Sequence, residues 1–476
     1  MVDTAQNEGN NKQVKVAPIM AMLLISGFIG MFSETALNMA INDLIKEFSI
    51  SPSTAQWLTT GYLLVLGILI PVSGLLIKRF PTRNLFITSL SFSIVGLFIA
   101  AVSPSFSVLL SGRIIQAIGT GLLLPLLFHT VLILFPARRR GTAMGLVGLV
   151  MMFAPATGPI SAGLIIDYFN WHMIFWMVIP PLVFALIFGI IFLPNITIVS
   201  NYRIDILSII LSVIGFGGIV FGFSFAGDVG WSSSVVLTSL VVGVMALIIY
   251  VFRQLNIEEP VLYLKVFKHS MFILGIVITL FANIIIFSAN ILLPLFMQAG
   301  LGLSASQAGL LLLPGGILNG IMSMVNGRLF DKYGPRGLVI GGFTISTVAV
   351  LFFANVSSTT NSYLIIFFFM LLMVSMSMVT TPSQTNGINQ LESDLYPDGT
   401  AVVNSMIQTS GAIGTALAMS ILNVSQRAYL GDLASPGSAH QAEALITGVQ
   451  NAFSFTIIVS IAGFICSLFI RRIRVE

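Results

Sequence analysis

The chain has 476 residues, of which 56% are hydrophobic and 8% are charged, and its formal net charge is +4. Soluble domains carry roughly 25% charged residues, so this composition excludes a water-soluble globular protein and indicates an integral membrane protein. The single cysteine, Cys466, excludes a disulfide within the chain, and the four dispersed histidines show no zinc-ligand spacing, so we expect no metal or other cofactor.

Fourteen stretches are long and apolar enough to cross a bilayer as helices, which takes about 20 apolar residues each. In chain order these segments 1 to 14 lie near residues 19–42, 56–77, 85–103, 107–134, 141–166, 172–194, 204–226, 234–253, 270–298, 305–327, 337–355, 362–384, 400–424 and 448–470. Long apolar runs without alternation argue against a membrane β-barrel. The predicted fold is therefore an all-α integral membrane protein with 14 transmembrane helices.

The basic residues orient these segments. With both termini placed in the cytoplasm, only Lys46 and Arg427 fall in outer loops and Arg113 falls inside a segment, while all others of the 21 basic residues lie on the inner side. Cytoplasmic loops are enriched in Lys and Arg, and a missed segment would disturb this parity. The basic composition is thus explained by orientation in the cell membrane, and no nucleic-acid partner is expected. The polar tail before segment 1 lacks a signal-peptide cleavage site, so segment 1 should be retained.

Segment 1 carries a carboxylate in an otherwise apolar run, "GMFSETALNMAIND" from Gly30. Placing Glu34 at this depth costs at least about 2.5 kcal/mol on insertion scales. It shares a helical face with Gly27, Gly30 and Asn38, so we expect it to face the interior of the bundle. One interpretation is a neutral, hydrogen-bonded carboxyl kept for structure. The other, favoured for intramembrane acids, is a group that takes up and releases a proton.

Segment 4 contains the basic residue inside a span, Arg113, at a depth similar to that of Glu34 if each residue rises about 1.5 Å. A cation beside Glu34 would favour its charged form, and relief of the pairing could gate protonation. The alternatives are a permanent ion pair and an arginine bound to backbone carbonyls. We predict a proton-coupling site of Glu34 and Arg113, with Asn38 and Gln116 in the adjoining substrate cavity.

Two other features concern the cavity and its walls. Asn283 and Asn290, seven residues apart in segment 9, share a helical face. They are expected either to line the cavity or to hold helices together by hydrogen bonds. In segment 5, Gly158 and Pro159 predict a bend, because proline removes a backbone hydrogen bond and glycine permits close helix packing.

Segments 2 and 10 end in related sequences, "GLLIKRFPTR" from Gly74 and "GRLFDKYGPR" from Gly327. If segment 10 is the second helix of a second half, then segments 9–14 form that half and segments 7 and 8 are an insertion. Two six-helix halves around a central cavity are a transporter architecture. The predicted divisions are a cytoplasmic tail of residues 1–18, an N-terminal six-helix bundle of residues 19–199, inserted helices in residues 200–253, and a C-terminal six-helix bundle with a short cytoplasmic tail in residues 254–476.

These stretches resemble the major facilitator superfamily and, within it, the 14-helix drug:proton antiporters of the EmrB/QacA type. The two related sequences are similar to its loop motif G-x-L-a-D-r-x-G-r-k. The second copy keeps the aspartate as Asp331, whereas the first has Lys78 in that place. The gating and structural residues implied by the resemblance are Gly74, Arg79, Arg83, Gly158, Pro159, Gly163, Gly327, Asp331 and Arg336.

Four other motifs support the resemblance. "LSGRIIQAIGTG" resembles the helix 4 motif R-x-x-q-G-x-g, "APATGPISAG" the helix 5 antiporter motif, and "NSMIQTSGAIGTAL" the helix 13 signature, with Ile407 where arginine is common. "SETALNMAIN" resembles the helix 1 pattern D-x-T-I-V-N-V-A-L-P. In that register the aspartate of the family falls on Ser33, and the acid of this chain follows one residue later as Glu34.

The resemblance implies a proton-coupled multidrug efflux transporter that exports amphipathic cationic or neutral compounds by alternating access, acting as a monomer in the cell membrane. The chain shows no Walker sequence and no Ser/His/Asp cluster, so neither ATP-driven transport nor an enzyme is expected. The alternatives are a proton-coupled transporter of one endogenous metabolite or lipid-like compound, and a nutrient symporter, whose cavity should carry more polar groups. A membrane sensor or scaffold would usually carry a soluble signalling domain.

Overall fold

The computed structural model describes residues 16–50, 52–196, 205–257, 260–303, 305–431 and 438–473. All regular secondary structure in these ranges is helical. In chain order the α-helices are α1 Val16–Ala36, α2 Ile41–Phe48, α3 Pro52–Arg79, α4 Thr82–Ala101, α5 Phe106–Leu134, α6 Arg140–Tyr168, α7 His172–Phe192, α8 Ile206–Val229, α9 Ser234–Asn256, α10 Ser270–Leu295, α11 Ala305–Tyr333, α12 Pro335–Phe353, α13 Ser362–Ile388, α14 Tyr396–Gly431 and α15 Ser438–Ser467.

Twelve helices in the described ranges are long and apolar enough to cross a membrane. A thirteenth candidate lies within α3, where Trp57–Leu69 and Val72–Arg79 meet at an angle of 54° and count as one span when joined. In α6 the apolar stretch Arg140–Pro155 is shorter than a full span. The all-α, multi-pass membrane fold is confirmed, whereas the full number of fourteen spans stays a prediction.

Segment 1 extends further than the sequence predicts. Instead of ending near residue 42, α1 tightens into a 3₁₀ turn at Leu37–Ala40 and continues as α2 to Phe48. The reason is that the buried face continues: Leu37 and Leu44 are both buried although polar residues lie between them. The helix then ends at Ser49, which has a positive φ of 50° and so takes the left-handed conformation common after helix ends.

The helices pack in two groups. Helices α1–α7 (the N-terminal helices) form one connected set of contacts, and α10–α15 (the C-terminal helices) form another. The two groups meet mainly where α6 packs along α11 and where α3 packs along α14. Helices α8 and α9 pair as a hairpin, and α8 lies against both α3 and α14.

Apolar side chains fill the interior of each group, and a third apolar cluster lies between the groups. It joins Leu132 of α5, Tyr250 of α9, Leu262 of the connection to α10, Phe272 of α10 and Tyr396 of α14. All five lie toward one end of the bundle, which also carries the C-terminus of α3, the N-terminus of α6 and the C-terminus of α11. Because Lys78, Arg140 and Lys332 lie at these helix ends, we call this the basic end.

Candidate functional site

The polar part of α1 lies against α5 among the N-terminal helices. Arg113 of α5 donates from Nη1 to the carbonyl oxygen of Ser33 at 3.0 Å and to Oε1 of Gln116 at 2.8 Å. The carbonyl of Ser33 directly precedes Glu34 in the chain. The structure therefore brings Arg113 and Gln116, two residues singled out from the sequence, to the backbone beside Glu34.

Arg113 is fully buried and holds hydrogen-bonding capacity in reserve. Its Cζ lies 4.2 Å from the centre of the Tyr62 ring, which places the guanidinium over the aromatic face. Within the described residues Nε and Nη2 have no hydrogen-bond partner. Most buried polar groups are hydrogen-bonded, so these two donors leave the buried cation able to form further hydrogen bonds.

Tyr62 of α3 completes this site by contacting both α1 and α5. Its hydroxyl lies 2.9 Å from Oγ1 of Thr120 and 3.2 Å from the carbonyl oxygen of Gly30, so it can donate to either. The sequence analysis missed Tyr62 and Thr120. Their side chains are ordinary for an apolar segment, and only the packing of α3 and α5 against α1 reveals their role. Gln116 adjacent to Arg113 was the available signal for a polar site on α5.

The carboxyl of Glu34 lies in the same site as Arg113. The side chain is half-buried, and its Oε2 is screened from solvent and has no hydrogen-bond partner among the described residues. No ion pair within 4.0 Å joins Glu34 to Arg113 in the described part of the chain. Such a carboxyl can accept hydrogen bonds when ionised and donate one when protonated. The side chain of Asn38 lies outside the described residues.

The close approach of α6 to α1 depends on glycine. A Cβ on Gly158 would lie 2.3 Å from Oγ1 of Thr35, the residue that follows Glu34. A residue with a Cβ at position 158 would therefore force either Thr35 or the backbone of α6 to shift. The side chain of Pro159 lies outside the described residues. At Gly163 a Cβ would meet no atom within 4 Å, so packing does not require glycine there.

The two predicted cavity residues of α10 lie in the C-terminal helices and differ in exposure. Asn283 is buried and donates to the carbonyl oxygen of Thr279 in its own helix at 2.8 Å. Phe287, one turn on, is half-buried, and Asn290 is exposed. No hydrogen bond of the described residues joins either asparagine to Glu34 or Arg113. Exposure on this face rises away from the basic end, as expected if a cavity opens at the opposite end.

The basic end is closed by contacts between the two groups. Asp331, in the last turn of α11, accepts from the backbone N–H of Gly141 at 2.9 Å and of Thr142 at 2.8 Å. It also accepts from Oγ1 of Thr142 at 2.7 Å. A carboxylate at a helix N-terminus is stabilised by the free N–H groups and the helix dipole. The helices are so close here that a Cβ on Gly327 would lie 2.1 Å from the carbonyl oxygen of Gly141.

A second contact uses Lys78, the residue in the place of the first motif aspartate. Lys78 of α3 forms a buried ion pair with Asp398 in the first turn of α14. In the contact of Asp331 the acid is on the motif helix α11, whereas in this contact the motif helix α3 carries the base and the facing helix α14 carries the acid. The sequence analysis missed Asp398. The available signal was the lysine itself, since a buried cation at this interface calls for an acid on the opposing helix.

A third contact at the basic end comes from Arg140, which is outside the loop motifs, whereas the three motif arginines are placed differently. Arg140 of α6 donates to Oδ1 of Asn389 at 3.2 Å and to the hydroxyl of Tyr396 at 2.7 Å, which adds a third contact between the groups. Arg83 instead donates to the carbonyl oxygen of Ile190 among the N-terminal helices, at 2.5 Å. The other two motif arginines differ in exposure, since Arg79 is half-buried and Arg336 is exposed.

Comparison with known proteins shows the family and several relatives. The family model described as Major Facilitator Superfamily matches residues 23–419. The chain is 55% identical to the lincomycin resistance protein LmrB of Bacillus subtilis (strain 168), over 98% of this chain and 98% of that protein. It is 28% identical to the probable multidrug resistance protein EmrY of Escherichia coli (strain K12), over 84% of this chain and 78% of that protein.

Solved structures show the same fold at low identity. The human organic anion transporter MFSD10 (TETRAN) aligns with a TM-score of 0.61 and 13% identity, over 94% of this chain and 100% of that chain. The proton:xylose symporter XylE aligns with a TM-score of 0.60 and 12% identity, over 93% and 94% of the two chains. At such low identity the likeness concerns the fold alone.

Proposed function

Since this chain belongs to the major facilitator superfamily, we propose that it exports amphipathic drug-like compounds in exchange for protons. The relatives described as lincomycin and multidrug resistance proteins support export. We place the basic end in the cytoplasm with both termini, and we propose that the protein works as a monomer in the plasma membrane. It would carry out transport without a chemical conversion.

The architecture that supports this proposal has two moving halves. We infer two six-helix bundles, in residues 19–199 and 254–476, an inserted pair in residues 200–253 and fourteen spans. The connected contacts of α1–α7 and of α10–α15 support this division. Alternating access then consists of opening the contacts at the basic end while the opposite end closes. We infer that the structure, with its basic end closed, represents the outward-facing state of this cycle.

The single observation that carries proton coupling is the unpartnered Oε2 of Glu34 beside a buried guanidinium. When Glu34 is ionised, the unpartnered nitrogens of Arg113 can stabilise the charge after a small movement. When Glu34 is protonated, its O–H can donate to a neighbouring carbonyl or to a substrate. The site therefore supports two protonation states that differ in their contacts, which is what coupling of proton and substrate movement requires.

The polar groups proposed for the cavity favour cationic or neutral substrates. Besides the carboxyl of Glu34 they are amides, from Asn38, Gln116, Asn283 and Asn290. We assign the unpartnered nitrogens of buried Arg113 to the ionised carboxyl of Glu34, so this cation is not proposed to bind an anionic substrate. The same geometry also suits a proton-coupled exporter of one metabolite or lipid-like compound. Competition between chemically unrelated compounds would distinguish these two functions.

Transport by purified protein in liposomes tests the proposal. Liposomes with an acidic lumen should accumulate lincomycin through the fraction of protein whose outer end faces the lumen, because protons leaving the lumen drive the drug inward. A protonophore should abolish accumulation. Accumulation that is equal with and without a pH gradient would contradict proton coupling, and absence of any transport for a panel of amphipathic drugs would contradict drug export.

A further inference from the structure

The hairpin α8–α9 lies outside the N-terminal helices and the C-terminal helices. At the basic end an ion pair joins the start of α8 to the end of α9. Arg253 of α9 donates from Nε and Nη2 to the two carboxylate oxygens of Asp205, at 2.8 and 3.1 Å. Ser208 of α8 donates to the same carboxylate at 2.5 Å. The hydrogen bond from Arg253 lowers the pKa of Asp205 to about 2, so this carboxylate stays charged at physiological pH.

Gln254 connects this base to the chain that leaves the hairpin. Its side chain is buried; Nε2 donates to Oγ of Ser208 at 2.6 Å, and Oε1 accepts from the backbone N–H of Leu262 at 3.2 Å. A primary amide can donate on one side and accept on the other at the same time. We call residues 260–263 the hairpin linker. Three of its residues, Pro260, Val261 and Leu262, are buried.

The next residue of the linker contacts both members of the ion pair at the basic end. The backbone N–H of Tyr263 donates to Oδ1 of Asp398 at 3.1 Å. The ring of Tyr263 lies under Lys78, with Nζ 4.7 Å from its centre. A buried ion pair offsets its desolvation cost only when further hydrogen bonds satisfy its atoms. The linker supplies one such bond to the acid and an aromatic face to the base.

We propose that the hairpin α8–α9 stabilises the closed basic end, and that Gln254 and Tyr263 are positioning residues of the transport cycle. Gln254 holds the linker so that Tyr263 completes the contact between Lys78 and Asp398. The placement of α8 against both α3 and α14 supports this role, because those two helices carry the ion pair and must separate when the basic end opens. The role in transport rests on the proposed alternating access, whereas the role in closure can be measured without transport.

Cysteine labelling in lipid nanodiscs measures closure directly, since both ends of the protein are open to the reagent. Ala401 is fully buried where α14 meets Gly74 of α3, so Ala401→Cys, with Cys466→Ser to remove the native thiol, reports opening of the basic end. Gln254→Leu removes both hydrogen bonds of the amide, and Tyr263→Leu removes the ring. Each should raise the labelling rate by about fivefold, the effect of about one net hydrogen bond. Tyr263→Phe keeps the ring and the N–H and should restore the original rate.

Two controls separate this role from general loosening. Asn256→Leu makes a comparable change on the same helix. Asn256 is exposed, and within the described residues its side chain bonds only to a carbonyl of its own helix, at 2.7 Å, so labelling should not change. A second reporter, Asn290→Cys at the opposite end, should label more slowly as the basic end opens. A rise at both reporters in Gln254→Leu would mean loss of packing and would contradict the proposal.

The proposal is also overturned if Gln254→Leu leaves labelling at 401 unchanged while Lys78→Ala raises it, because the linker would then add nothing to the ion pair. If Gln254→Leu does not fold, Ser208→Ala removes the acceptor that holds the amide and should change labelling in the same direction. None of these outcomes depends on drug transport. A failure of the proposed function would therefore leave this test intact.

Discussion

In the described structure one nitrogen of the Arg113 guanidinium donates hydrogen bonds and the other two have no hydrogen-bond partner. Nη1 donates to the carbonyl of Ser33 and to Gln116, and the guanidinium packs against the face of the Tyr62 ring. This arrangement keeps the cation in position while Nε and Nη2 remain unpartnered in the described structure. In a site of low dielectric an unpartnered donor is costly, so negative charge that develops on Glu34 gains a strong interaction.

Substitutions at Arg113 test this view. Arg113→Lys keeps the charge but loses the planar guanidinium that lies over the Tyr62 ring and the nitrogens Nε and Nη2, so we expect reduced transport and a shifted pH optimum. Arg113→Ala should lose most of the activity. Initial transport rates in liposomes between about pH 6 and 9, a range that brackets neutral pH, measure both effects. An alanine variant with full activity and an unchanged pH profile would reduce Arg113 to a packing role.

At this scale the sequence predicts the charged residues but not their neighbours. Glu34 and Arg113 are recognisable because charges inside apolar segments are costly, and the structure places Arg113 and Gln116 beside the backbone next to Glu34. Their roles in coupling stay predictions. Tyr62 and Thr120 could not be found in this way, because an aromatic or a hydroxyl in a membrane helix carries little penalty. Only the contact between helices identifies them.

At the scale of elements, the helix ends at the basic end carry the closure. Asp331 accepts from the first turn of α6, and Asp398 lies in the first turn of α14 opposite Lys78. Asp331 therefore lies against the N-terminus of α6 and Asp398 lies at the N-terminus of α14, where the helix dipole favours negative charge. The motif in the sequence predicts the position of Asp331. It does not predict Asp398, because the facing helix is more than 300 residues away in the chain.

Exchanging the charges of the buried pair tests its importance. Lys78→Asp alone places two carboxylates at one buried site, and breaking such a pair costs roughly 3–5 kcal/mol, so transport should be largely lost. The double variant with Asp398→Lys restores opposite charges and should recover part of the activity, less than fully because a cation at a helix N-terminus is unfavourable. The control is Lys268→Asp, the same change of residue type at an exposed position outside the motifs. A double variant no better than Lys78→Asp would contradict a pairwise role.

The course of segment 1 shows where sequence periods fail. The polar residues after Leu37 predict an end near residue 42, yet the chain continues as helix to Phe48. Tertiary burial of Leu44 and Ala40 outweighs the local preference for an end. Likewise, the bend of α3 arises where its two parts meet at 54° and was not predicted. A run of apolar residues in the sequence predicts the length of a helix, but it does not predict where the helix axis bends.

At the scale of the whole molecule, closure is asymmetric. The contacts of Asp331, Lys78 and Arg140 between the two groups all lie at the basic end, whereas exposure on α10 rises towards the opposite end. The hairpin α8–α9 is joined to the same end through the hairpin linker. We infer that the free energy difference between outward-facing and inward-facing states is set mainly here, so ligands must act on these contacts from a distance.

Membrane topology is tested by cysteines at exposed loop positions. Ser105→Cys and Ser232→Cys should react with an impermeant reagent added outside intact cells, and Arg139→Cys and Asp394→Cys should not. All four positions are exposed in the structure, so a lack of reaction reports the side of the membrane and not burial. Labelling of Ser232→Cys specifically tests whether α8 and α9 both span the membrane. Reversed labelling would contradict the fourteen-helix topology and the cytoplasmic placement of the basic end.

The central claim is that the carboxyl of Glu34 exchanges a proton for the drug, and proton release on substrate addition tests it most directly. Purified protein in weakly buffered solution should acidify the medium when lincomycin is added, because only a titrating group can give up a proton. Glu34→Asp keeps the titrating group on a shorter stem and should retain part of the signal. Glu34→Gln has similar shape and hydrogen bonding without titration, so it should fold, still bind the drug and release no proton. Undiminished proton release from Glu34→Gln would contradict the account and place coupling on another residue.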